Sequence, residues 1–234
     1  MLKKKVVVLT GAGISAESGL KTFRDADGLW EGHDVMEVAS PIGFANDPAL
    51  VLEFYNQRRR QLLKVAPNAA HMVLASLQKT HEVNIITQNV DDLHERAGSS
   101  SVLHLHGELL KVRSTRYENK IMDWRKDLVL GDTDSEGHQL RPHIVWFGEG
   151  VPAMAQAIPV VEQAHFLLII GTSMQVYPAA SLINFVPPGI PIYFVDPRPT
   201  VSESDFDNLT IIAETAVKGV PKAVKAIKEY VERS

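Results

Sequence analysis

The chain has 234 residues, 45% hydrophobic and 22% charged, with a formal net charge of −4 and no cysteine. That is the composition of a globular α/β domain with a sizeable core, and it offers no global basic field to nucleic acid or a membrane surface. The missing thiols exclude disulfides, a cysteine nucleophile and thiolate-bound zinc. The apolar run behind Lys3, Lys4 and Lys5 stops at Thr10 and Gly11, too short for a signal-peptide core or a bilayer span, so the expectation is a cytoplasmic protein.

The run Val6-Val7-Val8-Leu9-Thr10 reads as a buried strand that empties into Gly11-Ala12-Gly13-Ile14-Ser15-Ala16. Gly11 and Gly13 let the backbone turn sharply and approach a ligand, and the amides that follow are expected to open toward an anion. Ala16 fills the third position of the dinucleotide fingerprint, although the same letters fit an ordinary strand-to-helix turn. A common dinucleotide fold would next place a second strand with an acidic residue about 20 positions on. Here Lys21-Thr22-Phe23-Arg24-Asp25-Ala26-Asp27-Gly28-Leu29-Trp30 is polar and irregular, and no apolar strand lies between Gly19 and Asn46. This pattern argues against a dehydrogenase and for a nucleotide site under a long functional loop.

Asp47-Pro48 is a helix start, and the helix to about Lys64 sets Tyr55 and Arg58 on one face. A phenol beside a guanidinium can clamp a carboxylate; equally, Tyr55 can pack while Arg58, Arg59 and Arg60 form a solvated face. Asn68 caps a second helix through Lys79, with Met72, Leu74 and Leu77 as its core side. The strand Val83–Thr87 ends in Gln88-Asn89-Val90-Asp91-Asp92, at the end of a parallel strand where ligands bind. Amide and carboxylate groups there suit a ribose hydroxyl and a carboxamide, or Asn89 or Asp91 can simply cap the helix from Leu93 to Ala97. Val102–Gly107 reads as a strand with His104 and His106 on one face. No third metal ligand is spaced for them, and His104 reads as a structural, hydrogen-bonded histidine.

From Glu108 to about His143 the chain turns polar, with little apolar periodicity; Arg141–Glu149 returns to an extended apolar pattern. There Val145 and Phe147 are either core or a binding edge. Phe166–Ile170 repeats the opening architecture, a buried strand running into Gly171-Thr172-Ser173 and a helix over Pro178 to Asn184. A further strand, Pro191–Val195, leads to Asp196-Pro197-Arg198, and Val220, Val224, Ile227 and Val231 mark a closing helix that covers the sheet.

GAGISAESGLKTFRDADGLW resembles the cofactor loop of the sirtuins, the NAD-dependent protein lysine deacylases. QNVDDLHERAG, His106-Gly107, the Val145–Glu149 segment and GTSMQVYPAASL are similar to further sirtuin motifs, in the family's order, from about Val6 to Val220. The resemblance implies an α/β fold: a Rossmann-like parallel sheet with helices on both faces plus a small inserted module without zinc. It implies one catalytic domain over 1–234, the large part about 1–30, 68–107 and 145–234, the small-domain segments about 31–67 and 108–144.

It also implies NAD as cofactor. Gly11, Ala12, Gly13, Ser15, Ala16, Thr22, Phe23, Trp30, Gln88, Val90 and Gly171, Thr172 and Ser173 would line its site. Asp196, Pro197, Arg198 and Ala216 would lie on the adenosine side. His106 aligns with the catalytic base, an imidazole whose ordinary pKa near 6.5 suits it to take a proton. Asn89, Asp91 and Arg24 would orient cofactor and water. In the family mechanism the acyl-lysine carbonyl oxygen attacks the ribose carbon as nicotinamide leaves, and the acyl group ends on ADP-ribose. An acylated-lysine peptide would lie between Val145, Phe147, Gly148 and Glu149 on one side and Val176 and Tyr177 on the other. Tyr55 and Arg58 resemble the pair with which class III sirtuins take succinyl and malonyl groups.

The sequence departs from most sirtuins where they insert a four-cysteine zinc ribbon. Ser114 and its neighbours stand at the first cysteine pair, Asp132 to Gln139 replaces the second, and His138 is the only conventional nitrogen ligand in that second segment. The insertion must then either be held by packing and hydrogen bonds or be partly mobile. Rival readings are a plain deacetylase, in which Tyr55 and Arg58 are surface residues, and a non-catalytic NAD or ADP-ribose sensor.

Overall fold

The computed structural model describes residues 3–21, 29–30, 32–206 and 208–233, with Leu29, Trp30 and Arg233 described through their backbone alone. The first half of the chain forms β1 (Lys5–Thr10), α1 (Gly13–Ala16), β2 (Leu29–Trp30), β3 (His33–Asp34), α2 (Val35–Val38), α3 (Pro41–Asn46), α4 (Pro48–Leu62), α5 (Ala69–Leu77), β4 (Glu82–Thr87) and α6 (Leu93–Arg96). Then follow β5 (Val102–His104), β6 (Gly107–Ser114), β7 (Ile121–Asp123), β8 (Leu140–Ile144), α7 (Met154–Val161), β9 (Phe166–Ile170), a 3-10 helix (Ala179–Phe185), β10 (Ile192–Val195), β11 (Leu209–Ile212) and α8 (Ala216–Arg233).

The apolar runs of β1, β9 and β10 form the middle of a six-stranded sheet in the order β11-β10-β9-β1-β4-β5. Every pairing in it is parallel. Parallel strands are covered on both faces, which is why these runs do not alternate. Val6 and Val8 join Leu74, Leu77 and Val220 under α5 and α8 on one face. Val7 and Leu9 join Ala157, Val161 and Leu182 under α7 and the 3-10 helix on the other. Each fully buried valine or leucine contributes about 1.5–3 kcal/mol, so the sheet is anchored from both sides. No helix among the described residues is long and apolar enough to cross a membrane.

The 108–143 stretch is more ordered than its polarity suggests. It folds with β6 as a three-stranded antiparallel sheet, β7-β6-β8, resting on α4. Leu52, Val112, Leu128 and Leu140 close a small core beneath it. Its turns are tied by side-chain oxygens that accept backbone N–H groups. The Ser114 hydroxyl takes those of Arg116 and Tyr117 at 3.1 and 3.2 Å. The Asp134 carboxylate takes those of Glu136 and His138 at 2.9 and 3.0 Å. Glu136 in turn accepts from the Tyr117 hydroxyl and pairs with Lys120. Among the described residues no group of three or more His, Asp or Glu is arranged to hold a metal ion.

Several local expectations need correction. The strand foreseen over Val102–Gly107 ends at His104. Gly107 turns there with φ +84°, where a Cβ would meet the His143 carbonyl at 2.1 Å, and the chain enters the second sheet. Met72, expected in the core, is 52% exposed, because α5 packs through Ala70, Leu74 and Leu77. Strands β6 and β11 and helices α2, α3 and α7 had no counterpart in the sequence reading.

Candidate active site

The carboxyl ends of β1, β4 and β9 meet at one cleft of about 500 Å³, within the usual range for small-molecule sites. Its floor is two turns pressed together. A Cβ on Gly11 would lie 2.7 Å from the Gly171 oxygen, and one on Gly13 would lie 2.5 Å from the Gly171 Cα. Gly171 itself has φ +60°, open chiefly to glycine. These glycines therefore let one turn approach the other, a packing role the fingerprint does not announce. The expected row of open amides is corrected as well. The Gly11 N–H donates to Ile170 O, Gly13 to Gly171 O, Ile14 to Gly11 O and Ser15 to Ala12 O, at 2.9–3.2 Å.

On this floor stands a polar cluster. The Ser15 hydroxyl donates to Asp91 Oδ2 at 2.9 Å and accepts from Asn89 Nδ2 at 3.2 Å. Asp91 Oδ1 accepts the Leu93 N–H at 3.1 Å, so Asp91 serves the start of α6 and the cleft at once. Burial raises its pKa above the ordinary carboxylate value. Gln88 Nε2 donates to the Thr172 hydroxyl at 3.0 Å, joining the loops after β4 and β9. Beneath them the Thr10 hydroxyl donates to Thr87, which also accepts the Asn89 N–H at 3.0 Å.

The two histidines foreseen on one face take opposite roles. His104 lies 2.9 Å from the Asn89 carbonyl through Nδ1 and 2.8 Å from Glu95 through Nε2. A carbonyl and a carboxylate only accept, so both ring nitrogens donate. Burial alone would depress the His104 pKa, but the Glu95 bond and charge and the Asn89 carbonyl outweigh it and raise it. His106 has one such partner, the Gln88 carbonyl 3.1 Å from Nδ1. Its proton therefore sits on Nδ1, and Nε2 keeps a lone pair. Burial holds its pKa below the ordinary histidine value, leaving a neutral ring at pH 7. A neutral, oriented imidazole lining a cleft is a competent general base.

Helix α4 brings a further pair to the cleft. Asp47 caps it by accepting the Leu50 N–H. Tyr55 is 1% exposed and its hydroxyl oxygen accepts the Trp146 indole N–H at 2.9 Å. Burial raises the phenol pKa further above its ordinary value, so Tyr55 stays protonated. The Arg58 guanidinium lies 3.5 Å from the Phe54 ring centroid and donates to the Phe54 carbonyl at 2.6 Å.

All the described site residues foreseen from sequence line this cleft except Ala216, which is buried at the start of α8 beside the lining residue Thr215. Thr22, Phe23 and Arg24 lie outside the described residues, as does the Trp30 side chain. Glu149 lines the cleft, but its carboxylate is held by Arg113, Arg141 and the Trp146 N–H. The Val145 and Phe147 amides donate to His106 O and Ala39 O, both at 2.9 Å, so peptide pairing there would fall to other atoms. Neither residue is core, and Phe147 is 42% exposed. Sequence reasoning passed over Trp146, Lys21, Gln61, Leu109 and Ile144, which also line the cleft. Trp146 was findable: in an extended segment it must face opposite to Val145 and Phe147.

Comparison with known proteins gives one answer throughout. Residues 11–178 match the model of the Sir2 family. An NAD-dependent protein deacylase of Helicobacter pylori is 62% identical over 92% of this chain and 93% of its own length. One from Bacteroides thetaiotaomicron is 51% identical over 93% and 95%. Among solved structures, a Sir2 homologue in complex with NAD superposes with a TM-score of 0.86 at 38% identity, covering 97% of this chain and 90% of that one. A Sir2 protein bound to an acetylated peptide gives 0.77 at 28% identity, covering 95% and 93%.

Proposed function

The chain belongs to the Sir2 family and is an NAD-dependent protein deacylase, and we propose that it prefers lysines carrying succinyl or malonyl groups. The donor set of the cleft fits NAD. Ser15, Gln88, Asn89 and Asp91 mix the donors and acceptors that a carboxamide and ribose hydroxyls need, and Gly11, Gly13 and Gly171 keep side chains off the floor. When bound, NAD supplies the ribosyl carbon that receives the acyl group as nicotinamide departs.

The chain's own residues do the rest. Ser15, Gln88, Asn89 and Asp91 would hold the nicotinamide half, Gly171 to Ser173 the phosphates, and Asp196 to Arg198 the adenosine half. His106 accepts a proton at Nε2, with Nδ1 fixed by Gln88. The apolar walls at Leu62, Leu109 and Ile144 exclude water that would compete for the reactive carbon. An acylated-lysine peptide would enter past Phe147 and Tyr177, which stand 42% and 73% exposed.

The observation that carries the acyl preference is that Tyr55 and Arg58 line the same cleft as His106, with Tyr55 buried and uncharged. A cation beside a neutral hydroxyl suits a carboxylate, and the methyl end of a plain acetyl has nothing to offer either group. The test is a parallel assay with NAD and one peptide bearing succinyl-lysine or acetyl-lysine, following nicotinamide release and peptide mass. The expectation is succinyl turnover well above acetyl, with Arg58→Met lowering succinyl kcat/KM by about 10–100-fold. Equal losses on both substrates would overturn the role of Arg58.

A further inference from the structure

We infer that Trp146 is a specificity-determining residue: its indole N–H takes a lone pair of Tyr55 and thereby turns the phenol into a hydrogen-bond donor for a carboxylate. The inference rests on the dicarboxylic acyl preference proposed above. It begins from the 2.9 Å bond between Trp146 Nε1 and the Tyr55 oxygen, made between two side chains that are 2% and 1% exposed. An indole nitrogen can only donate. Tyr55 must therefore accept on that side, and the one proton of the phenol is turned away from Trp146. A phenol free to rotate would present either its lone pair or its proton to a bound acyl group. With the lone pair engaged by Trp146, a carboxylate meets an O–H, as it meets N–H groups on Arg58. A group that only donates finds that acceptor position already taken.

The indole is itself held on three sides. The Arg141 guanidinium lies 3.4 Å from the Trp146 ring centroid, and Phe44 packs at 5.2 Å. The Trp146 backbone N–H donates to Glu149 at 2.8 Å. Glu149 pairs with both Arg141 nitrogens, at 2.7 and 3.1 Å, and with Arg113. Arg113 lies on β6 and Arg141 on β8, so the antiparallel module fixes the ring that orients the acyl clamp. The module thus has a part in substrate choice although its own sheet carries none of the residues expected to hold NAD.

The experiment replaces only the N–H. Trp146→Phe keeps an aromatic ring, and benzothienylalanine incorporated at position 146 keeps the indole's full shape with sulfur in place of N–H. For each protein the ratio of succinyl to acetyl kcat/KM is measured, with thermal melting to verify folding. Both replacements should lower the ratio by about tenfold, mainly through KM for the succinyl peptide. Trp146→Phe made in a Tyr55→Phe background should change the ratio no further, because the indole acts through the phenol. A wild-type ratio near one overturns the dicarboxylic reading, and this inference with it. A high wild-type ratio that survives the benzothienyl replacement overturns the inference alone. So does a further tenfold fall in the Tyr55→Phe background, which would show Trp146 acting by another route.

Discussion

The two sheets of this protein are held by different means. In the parallel sheet Val6, Val7, Val8 and Leu168 are 0% exposed, and a polar cluster forms at the strand ends, where Ser15, Gln88, Asn89 and Asp91 bond to one another or to Thr172. In the antiparallel module all three residues of β7 are exposed, and order comes from turns whose amides are collected by Ser114 and Asp134. The first region fixes its geometry by excluded volume, so neighbours cannot move without collision. The second fixes its geometry by satisfying backbone donors, so single contacts can be lost and replaced by water. Tight tolerances belong where reacting groups must align; hydrogen-bonded turns suffice where a surface has only to brace it.

The contrast is sharpest at glycines. Gly13→Ala puts a methyl group 2.5 Å from the Gly171 Cα, backbone against backbone, and should cost more than about 4 kcal/mol in chemical denaturation. Gly137→Ala in the module meets nothing within 4 Å, and its φ of +86° should cost about 1 kcal/mol. Equal losses at the two positions would abolish the distinction.

Acidity separates the regions too. His71 and His94, buried edge to face at 4.9 Å beside the parallel sheet, have pKa values pushed down by burial to about 4 and about 3. The unfolded chain binds protons at these rings first, so stability is full above pH 6.5 and is lost as pH falls toward their folded values. Melts between pH 7 and pH 5 should show a loss on the order of 2 kcal/mol per ring, and the total loss over the same range should be smaller by that amount for each ring in a His71→Leu, His94→Leu variant. The smallest effect is expected in the module. Lys120→Gln, which removes the exposed partner of Glu136, should leave the denaturation midpoint unmoved, and a clear shift would mean that this surface pair holds more than its turn.

The buried strands β1, β9 and β10 were legible because a parallel strand covered on both faces writes an uninterrupted apolar run, and β4 through Val83, Ile85 and Ile86 around its one polar interruption at Asn84. The glycine turns and the Gln88–Asp91 segment were legible because each is a short stretch directly after an apolar strand, where ligands of parallel sheets bind. What escaped depends on distant partners. Strand β6 carries Lys111 and Arg113 among its apolar residues, and the buried Arg113 becomes intelligible only with Glu149 beside it, 36 positions on. Strand β11 is a four-residue edge strand, and α7 has Pro159 in its interior, so both fall below local signals. The amide-to-carbonyl bonds between the two glycine turns could not be read at all, since fingerprint letters say that a backbone comes close without saying to what.

The placement of β1 has a consequence for how the protein assembles. Thr10 stands opposite Thr87 on one side and Ile170 on the other. The strand that starts the sheet thus ends at its centre, and its second edge waits until most of the chain has been made. During synthesis Val6 to Leu9 must stay unpaired on that edge, an apolar segment of high β-propensity open to foreign strands. The turn at Gly13 cannot settle before Gly171 arrives to meet it. Folding is therefore dominated by late, long-range ladder closure, and the nascent amino-terminal strand is where delay or chaperone contact would concentrate.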